Sequence, residues 1–143
     1  MTFEYKKRHR VEFADTDLAG IVHFSQYFKY MEAAEHEFWR SLGYSVHQES
    51  GNDIIGWPRV SADCEYLAPL RFEDEFEVHL QVREIKEKSL RFGFDINRIS
   101  PEKVRIARGH ISVVCVRMNR AANQMNTIPI PSEIYEKIEV ASC

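Results

Sequence analysis

Between Phe13 and Phe24 the chain reads Phe-Ala-Asp-Thr-Asp-Leu-Ala-Gly-Ile-Val-His-Phe. Asp15 and Asp17 stand in a polar turn, and His23 and Phe24 lead from it into an amphipathic helix. A carboxylate beside a helix N-terminus can act as nucleophile or general base next to backbone N–H groups that stabilise a developing oxyanion. Acyl transfer to water needs that combination. Asp and Thr before a helix also serve as plain turn and cap residues. Residue type and spacing alone therefore leave both readings open.

The elements that must hold this segment are legible from periodicity. Tyr27, Met31, Ala34, Phe38 and Leu42 recur at helical spacing, with Lys29, Glu32, His36 and Arg40 opposite. This predicts a helix from about Ser25 to Leu42, with Ser25 as N-cap and Gly43 as a left-handed stop. Glu35 falls within the apolar arc, where it is either a second acid or a buried carboxylate paired with an arginine. A polar loop from Ser45 to Gly56 follows, expected to be exposed and mobile.

Most of the remainder alternates with period two. Phe3, Tyr5, Val11 and Phe13 share one parity; so do Val60, Ala62, Cys64 and Tyr66; Phe76, Val78, Leu80 and Val82; and Leu90, Phe92, Phe94 and Ile96. A fifth run, Val104 to Met118, changes phase near Gly109, which predicts a bulge there. A short helix is expected between Pro131 and Ile138. One helix and five long strands fit an α+β hotdog fold, a five-stranded antiparallel sheet wrapped around one long helix, in a single domain over 1–143. One helix cannot cover such a sheet fully, so pairing of subunits into a homodimer or a dimer of dimers is expected.

The 143 residues carry a net charge of −3 and 44% hydrophobic residues. Nothing in that balance draws the chain to nucleic acid or into a membrane. The first residues lack the apolar stretch of a signal peptide, and the expected location is cytoplasmic. Cys64, Cys115 and Cys143 form no metal or redox spacing; the first two read as small core residues and the last as a mobile terminal thiol. The histidines are likewise scattered, with no metal-ligand pattern.

The segment Asp15-Thr16-Asp17-Leu18-Ala19-Gly20-Ile21-Val22, Tyr27 after it, Glu32-Ala33-Ala34, Tyr66-Leu67-Ala68-Pro69-Leu70-Arg71 and Ile128-Pro129-Ile130-Pro131 together resemble the 4-hydroxybenzoyl-CoA thioesterase family. The resemblance implies an acyl-CoA thioesterase that requires no cofactor, coenzyme A being part of the substrate. It makes Asp17 the catalytic carboxylate. The amide near Phe24 becomes the oxyanion donor, His23 a neighbouring acid or orienter, and Gly20 and Tyr27 substrate-side residues. Asp15 and Thr16 would brace the loop. A related branch places histidine where Phe24 stands, so Phe24 implies an aromatic or bulky acyl group. Lys86, Lys88 and Ser89 correspond to a region that touches the nucleotide end of CoA, and Arg59 and Ser61 would line the acyl pocket from a partner subunit. A hydratase or dehydratase of the same fold, or a non-catalytic acyl-CoA binding module, are the alternatives.

Overall fold

A computed structural model describes residues 1–142; Cys143 lies outside the described residues. The elements in chain order are β1 (Glu4–Arg10), α1 (Gln26–Ser41), β2 (Gln48–Ser50), β3 (Asp53–Gly56), β4 (Arg59–Tyr66), β5 (Glu75–Ile85), β6 (Ser89–Ser100), β7 (Val104–Val114), β8 (Val116–Asn119), β9 (Gln124–Thr127) and α2 (Ser132–Tyr135). The main sheet runs in the order β1-β5-β6-β7-β4, all neighbours antiparallel. Its inner face is the alternating set read from sequence: Phe76, Val78, Leu80 and Val82 on β5, and Leu90, Phe92, Phe94 and Ile96 on β6, all buried. These close on the apolar stripe of α1, where Met31, Ala34 and Phe38 have no exposed surface. Each such large side chain contributes about 1.5–3 kcal/mol through burial. This is the expected hotdog arrangement.

The helix ends as predicted. Gly43 has φ +88°, and the amides of Gly43 and Tyr44 reach back to the carbonyls of Arg40 and Trp39. Its start differs. Ser25 occupies the N-cap position, but its side chain makes no cap bond and instead lies 2.8 Å from Nδ1 of His23. Phe13, placed on the inner face of β1 by parity, falls beyond the strand in a 3-10 turn and is 77% exposed. Its ring packs edge-on against Phe72.

Three further expectations are corrected. The Ser45–Gly56 segment contains the β2–β3 hairpin, which joins β8 and β9 in a second, four-stranded sheet ordered β2-β3-β8-β9. Ile54 and Gly56 are buried there. The long last run divides at buried Cys115 into β7 and β8, which lets one stretch of chain serve both sheets. The phase change in β7 sits at Ile106 rather than Gly109: Ile96 faces Ala107 and Asn97 faces Arg105, so Ile106 is the additional residue, and Ile106 and Ala107 are buried consecutively. Gly109 has a different reason. A Cβ there would overlap the Asp63 carbonyl and come within 2.6 Å of the Met31 Cε, so glycine lets both β4 and α1 approach β7 this closely.

Strand β4 departs most from its pattern. It is the edge of the main sheet, and Val60 (61%) and Tyr66 (45%) are exposed while Cys64 is half-buried. The register shifts between Arg59 and Ser61, so Val60 is bulged. Alternation had put Val60 with Ala62 and turned Arg59 outward. With the bulge, Arg59 pairs with buried Val113 and turns to the core face, while Ala62, opposite buried Ile111, stays exposed because no element covers this edge.

Candidate active site

The loop before α1 is built almost wholly from its own polar groups. The Asp15 amide donates to the Glu12 carbonyl and the Thr16 hydroxyl to the Phe13 carbonyl at 2.7 Å. Asp17 folds back on itself: its Oδ1 accepts from the amides of Ala19 at 2.9 Å and Ile21 at 3.4 Å, and its own amide donates to the Ile21 carbonyl. Gly20 closes this turn at φ +82°, a conformation that favours glycine. The far end is stitched to the neck after β4, where the Val22 amide donates to the Leu70 carbonyl and the Tyr66 hydroxyl to the Phe24 carbonyl.

These contacts surround a cavity of about 430 Å³ lined by Asp17, Ile21, Val22, Phe24 and Tyr27 from the loop and helix, and by Tyr66 to Pro69 from the neck. Its walls are mainly apolar and aromatic, and Asp17 is the one carboxylate among them. One Asp17 oxygen is occupied by backbone amides, which leaves Oδ2 for chemistry. At the helix entrance the amides of His23, Ser25 and Gln26 are all used, donating to the Asp15 carbonyl, His23 Nδ1 and the His23 carbonyl. Among the described residues, the amide of Phe24 has no acceptor. An unpartnered N–H at the positive end of a helix is suited to a developing negative charge. Burial pushes the Tyr27 phenol up to about 12, so its hydroxyl stays protonated.

Of the residues singled out by sequence, the fold brings together Asp17, Gly20, His23, Phe24 and Tyr27. His23 is exposed, its ring 4.6 Å from that of Phe24, and Nδ1 is taken up by the Ser25 amide and hydroxyl. Arg59 and Ser61 lie toward the opposite end of β4, about 15–25 Å along the strand from Tyr66 at the usual rise per residue. Lys86, Lys88 and Ser89 are farther still, at the tip of the β5–β6 hairpin, across the eleven residues of β5 from the loop. Lys86 is paired with Glu84 at 3.2 Å. Within one chain these five residues do not meet Asp17.

Glu35 is fully buried and bound to Arg59 through both carboxylate oxygens, with Trp39 Nε1 donating at 3.2 Å. Glu32 lies 3.5 Å from the same guanidinium. Neither glutamate lines the cavity. Asp15 is engaged as well, by the Glu12 amide and the Tyr30 hydroxyl. Sequence reasoning missed the wall formed by Tyr66 to Pro69 as a site. The signal was present as an aromatic, an alanine and a proline directly after a strand, where a chain must leave its sheet.

A family model described as the thioesterase-like superfamily matches residues 11–138. The chain belongs to that superfamily. A putative esterase from Aquifex aeolicus (strain VF5) is 34% identical over 141 residues, covering 97% of this chain and 99% of the relative. The solved structure of a gentisyl-coenzyme A thioesterase is 32% identical, with a TM-score of 0.74 over 91% of this chain and 98% of that one. The 4-hydroxybenzoyl-CoA thioesterase of Pseudomonas sp. (strain CBS-3) is 26% identical over 96 residues, which is 66% of this chain and 68% of the relative. The resemblance read from the Asp15–Val22 segment therefore agrees with the superfamily match, and the hotdog topology agrees with both.

Proposed function

We propose that the chain hydrolyses acyl-CoA thioesters to the free acid and CoA thiol, with an aromatic acyl group in the cavity. The observation that carries this reading is that Asp17, with one carboxylate oxygen free, and Phe24, with an unpartnered amide, line the same apolar cavity. The amide polarises the thioester carbonyl and holds the oxyanion. Asp17 either attacks the carbonyl carbon, forming an anhydride that water then opens, or takes a proton from the attacking water. In both routes the C–S bond breaks, and the sulfur leaves with the electron pair and is protonated. One oxyanion donor typically contributes about 3 kcal/mol to lowering the barrier. The aromatic preference follows from the rings of Phe24, Tyr27 and Tyr66 around a cavity of about 430 Å³. Relatives named for gentisyl-CoA, 4-hydroxybenzoyl-CoA and 1,4-dihydroxy-2-naphthoyl-CoA support it. A thiol-release screen is expected to give the highest kcat/KM with hydroxylated aromatic acyl-CoAs. A preference for short aliphatic esters would overturn the assignment of the acyl group, and no thiol release from any of them would overturn the activity.

The working unit in this reading is a homodimer or a dimer of dimers. The eight-residue edge β4 exposes an unpaired backbone and the side chains of Val60, Ala62 and Tyr66. Antiparallel pairing of two such edges covers them and sets the Arg59 end of one copy beside the Tyr66 end of the other. It also carries Ser61, Lys86, Lys88 and Ser89 of that copy toward the cavity, where the lysines offer charge to CoA phosphates. Sedimentation velocity at micromolar concentration is expected to show a dimer or larger. A monomer that hydrolyses acyl-CoA would refute the shared site.

A further inference from the structure

Beneath the catalytic loop, one side chain of α1 has no place in the cavity and yet holds the loop. Tyr30 is 4% exposed, and its ring is fixed against His9, Phe76 and Tyr27 at centroid distances of 5.3, 4.7 and 6.1 Å. Its hydroxyl donates to Asp15 Oδ2 at 2.7 Å. The same oxygen accepts the Glu12 amide at 3.0 Å. The main-chain carbonyl of Asp15 in turn accepts the amide of His23 at 2.9 Å, one residue before Phe24. Asp15 is thus a node whose side chain is tied to the helix interior and whose carbonyl sets the backbone that presents the Phe24 amide. Asp17 lies two residues along the chain from Asp15. Burial, followed by the bond to Asp15, pushes the Tyr30 phenol well above its ordinary value, so the hydroxyl remains a donor across the working range.

We infer that Tyr30, acting through Asp15, is a positioning residue that fixes the distance between the Asp17 carboxylate and the Phe24 amide. This rests on the reading of those two groups as the hydrolytic pair. The bond closes across α1 and the loop with a locked ring at one end. Losing it frees the loop to shift while leaving the Tyr66–Pro69 wall in place. Misplacement of reacting groups by about 1 Å can cost about 100-fold in rate. Because both bonds to the Asp15 side chain fall on a single oxygen, an amide oxygen can accept both, and the negative charge is not needed.

The test is steady-state thiol release by the full-length chain with the best acyl-CoA from the screen. Tyr30→Phe, which removes only the hydroxyl, is expected to lower kcat by about 10-fold or more, with KM held within about twofold. Asp15→Asn should retain kcat within about threefold, whereas Asp15→Ala reproduces the loss. The double variant Tyr30→Phe/Asp15→Ala should be no slower than Asp15→Ala alone. Wild-type kcat in Tyr30→Phe, additive losses in the double variant, or an Asp15→Asn as impaired as Asp15→Ala would each overturn the inference. Tyr30→Phe alone decides the matter if the alanine variants fail to fold. Asp17→Asn measured alongside separates the two readings. An active Asp17→Asn removes the hydrolytic pair itself, whereas an inactive one beside an unaffected Tyr30→Phe removes only the positioning role.

Discussion

Asp17→Asn is expected to lower kcat for acyl-CoA hydrolysis by about 1,000-fold or more while leaving the fold and the melting temperature unchanged. The amide oxygen of asparagine can still accept the bonds from Ala19 and Ile21 that hold the turn. What is lost is the capacity to attack the carbonyl or to take a proton, the range usually ascribed to a positioned base or nucleophile. KM should stay near its wild-type value, because the cavity walls and the Phe24 amide are untouched. Activity within about tenfold of wild type would show that another group performs the chemistry.

Glu35 is expected to behave in the opposite way. Glu35→Ala should destabilise the protein by about 3 kcal/mol, a melting temperature roughly 10 °C lower, because it strands the Arg59 guanidinium beside the apolar core and takes an acceptor from Trp39. The figure is at the lower end for a broken buried pair, since the Arg59 side chain is 27% exposed and can partly turn to water. Replacing both partners, Glu35→Leu with Arg59→Met, should recover most of the loss, as buried ion pairs are often no better than well-packed apolar residues. Below the melting range Glu35→Gln should keep a kcat close to wild type. A loss of activity in that variant at unchanged stability would return Glu35 to the list of catalytic acids.

The sequence carried the fold well where one periodicity governs. The α1 stripe and the alternation on β5 and β6 are all buried as read, because each lies centrally and meets the core on one face. It failed where a single residue breaks phase. The bulge at Val60 reverses the side on which Arg59 lies, and nothing in the local composition marks it; the ion pair with Glu35 appears only once α1 and β4 are side by side. The β2–β3 hairpin was hidden because its partner strand β8 is far away in sequence and its residues are polar enough to read as loop. The Phe13–Phe24 loop was legible for a related reason. Most of its bonds join residues within eight positions of one another, so the motif states its own geometry. The Tyr66–Pro69 wall and the Tyr30 hydroxyl come from elsewhere in the chain and leave no comparable trace.

That contrast bears on how such a protein could change its diet. The groups we propose for breaking the bond, Asp17 and the Phe24 amide, lie in one short stretch braced by its own bonds and by Tyr30, while the surfaces that would recognise the acyl group and the nucleotide are drawn from the neck, the edge strand and a remote hairpin. Substitutions in the second group can accumulate without touching the first. A lineage could therefore move from one thioester to another by remodelling its walls, and a graft of Phe13 to Tyr30, which brings the bracing hydroxyl along, into a sibling scaffold is expected to carry the proposed reaction without the taste.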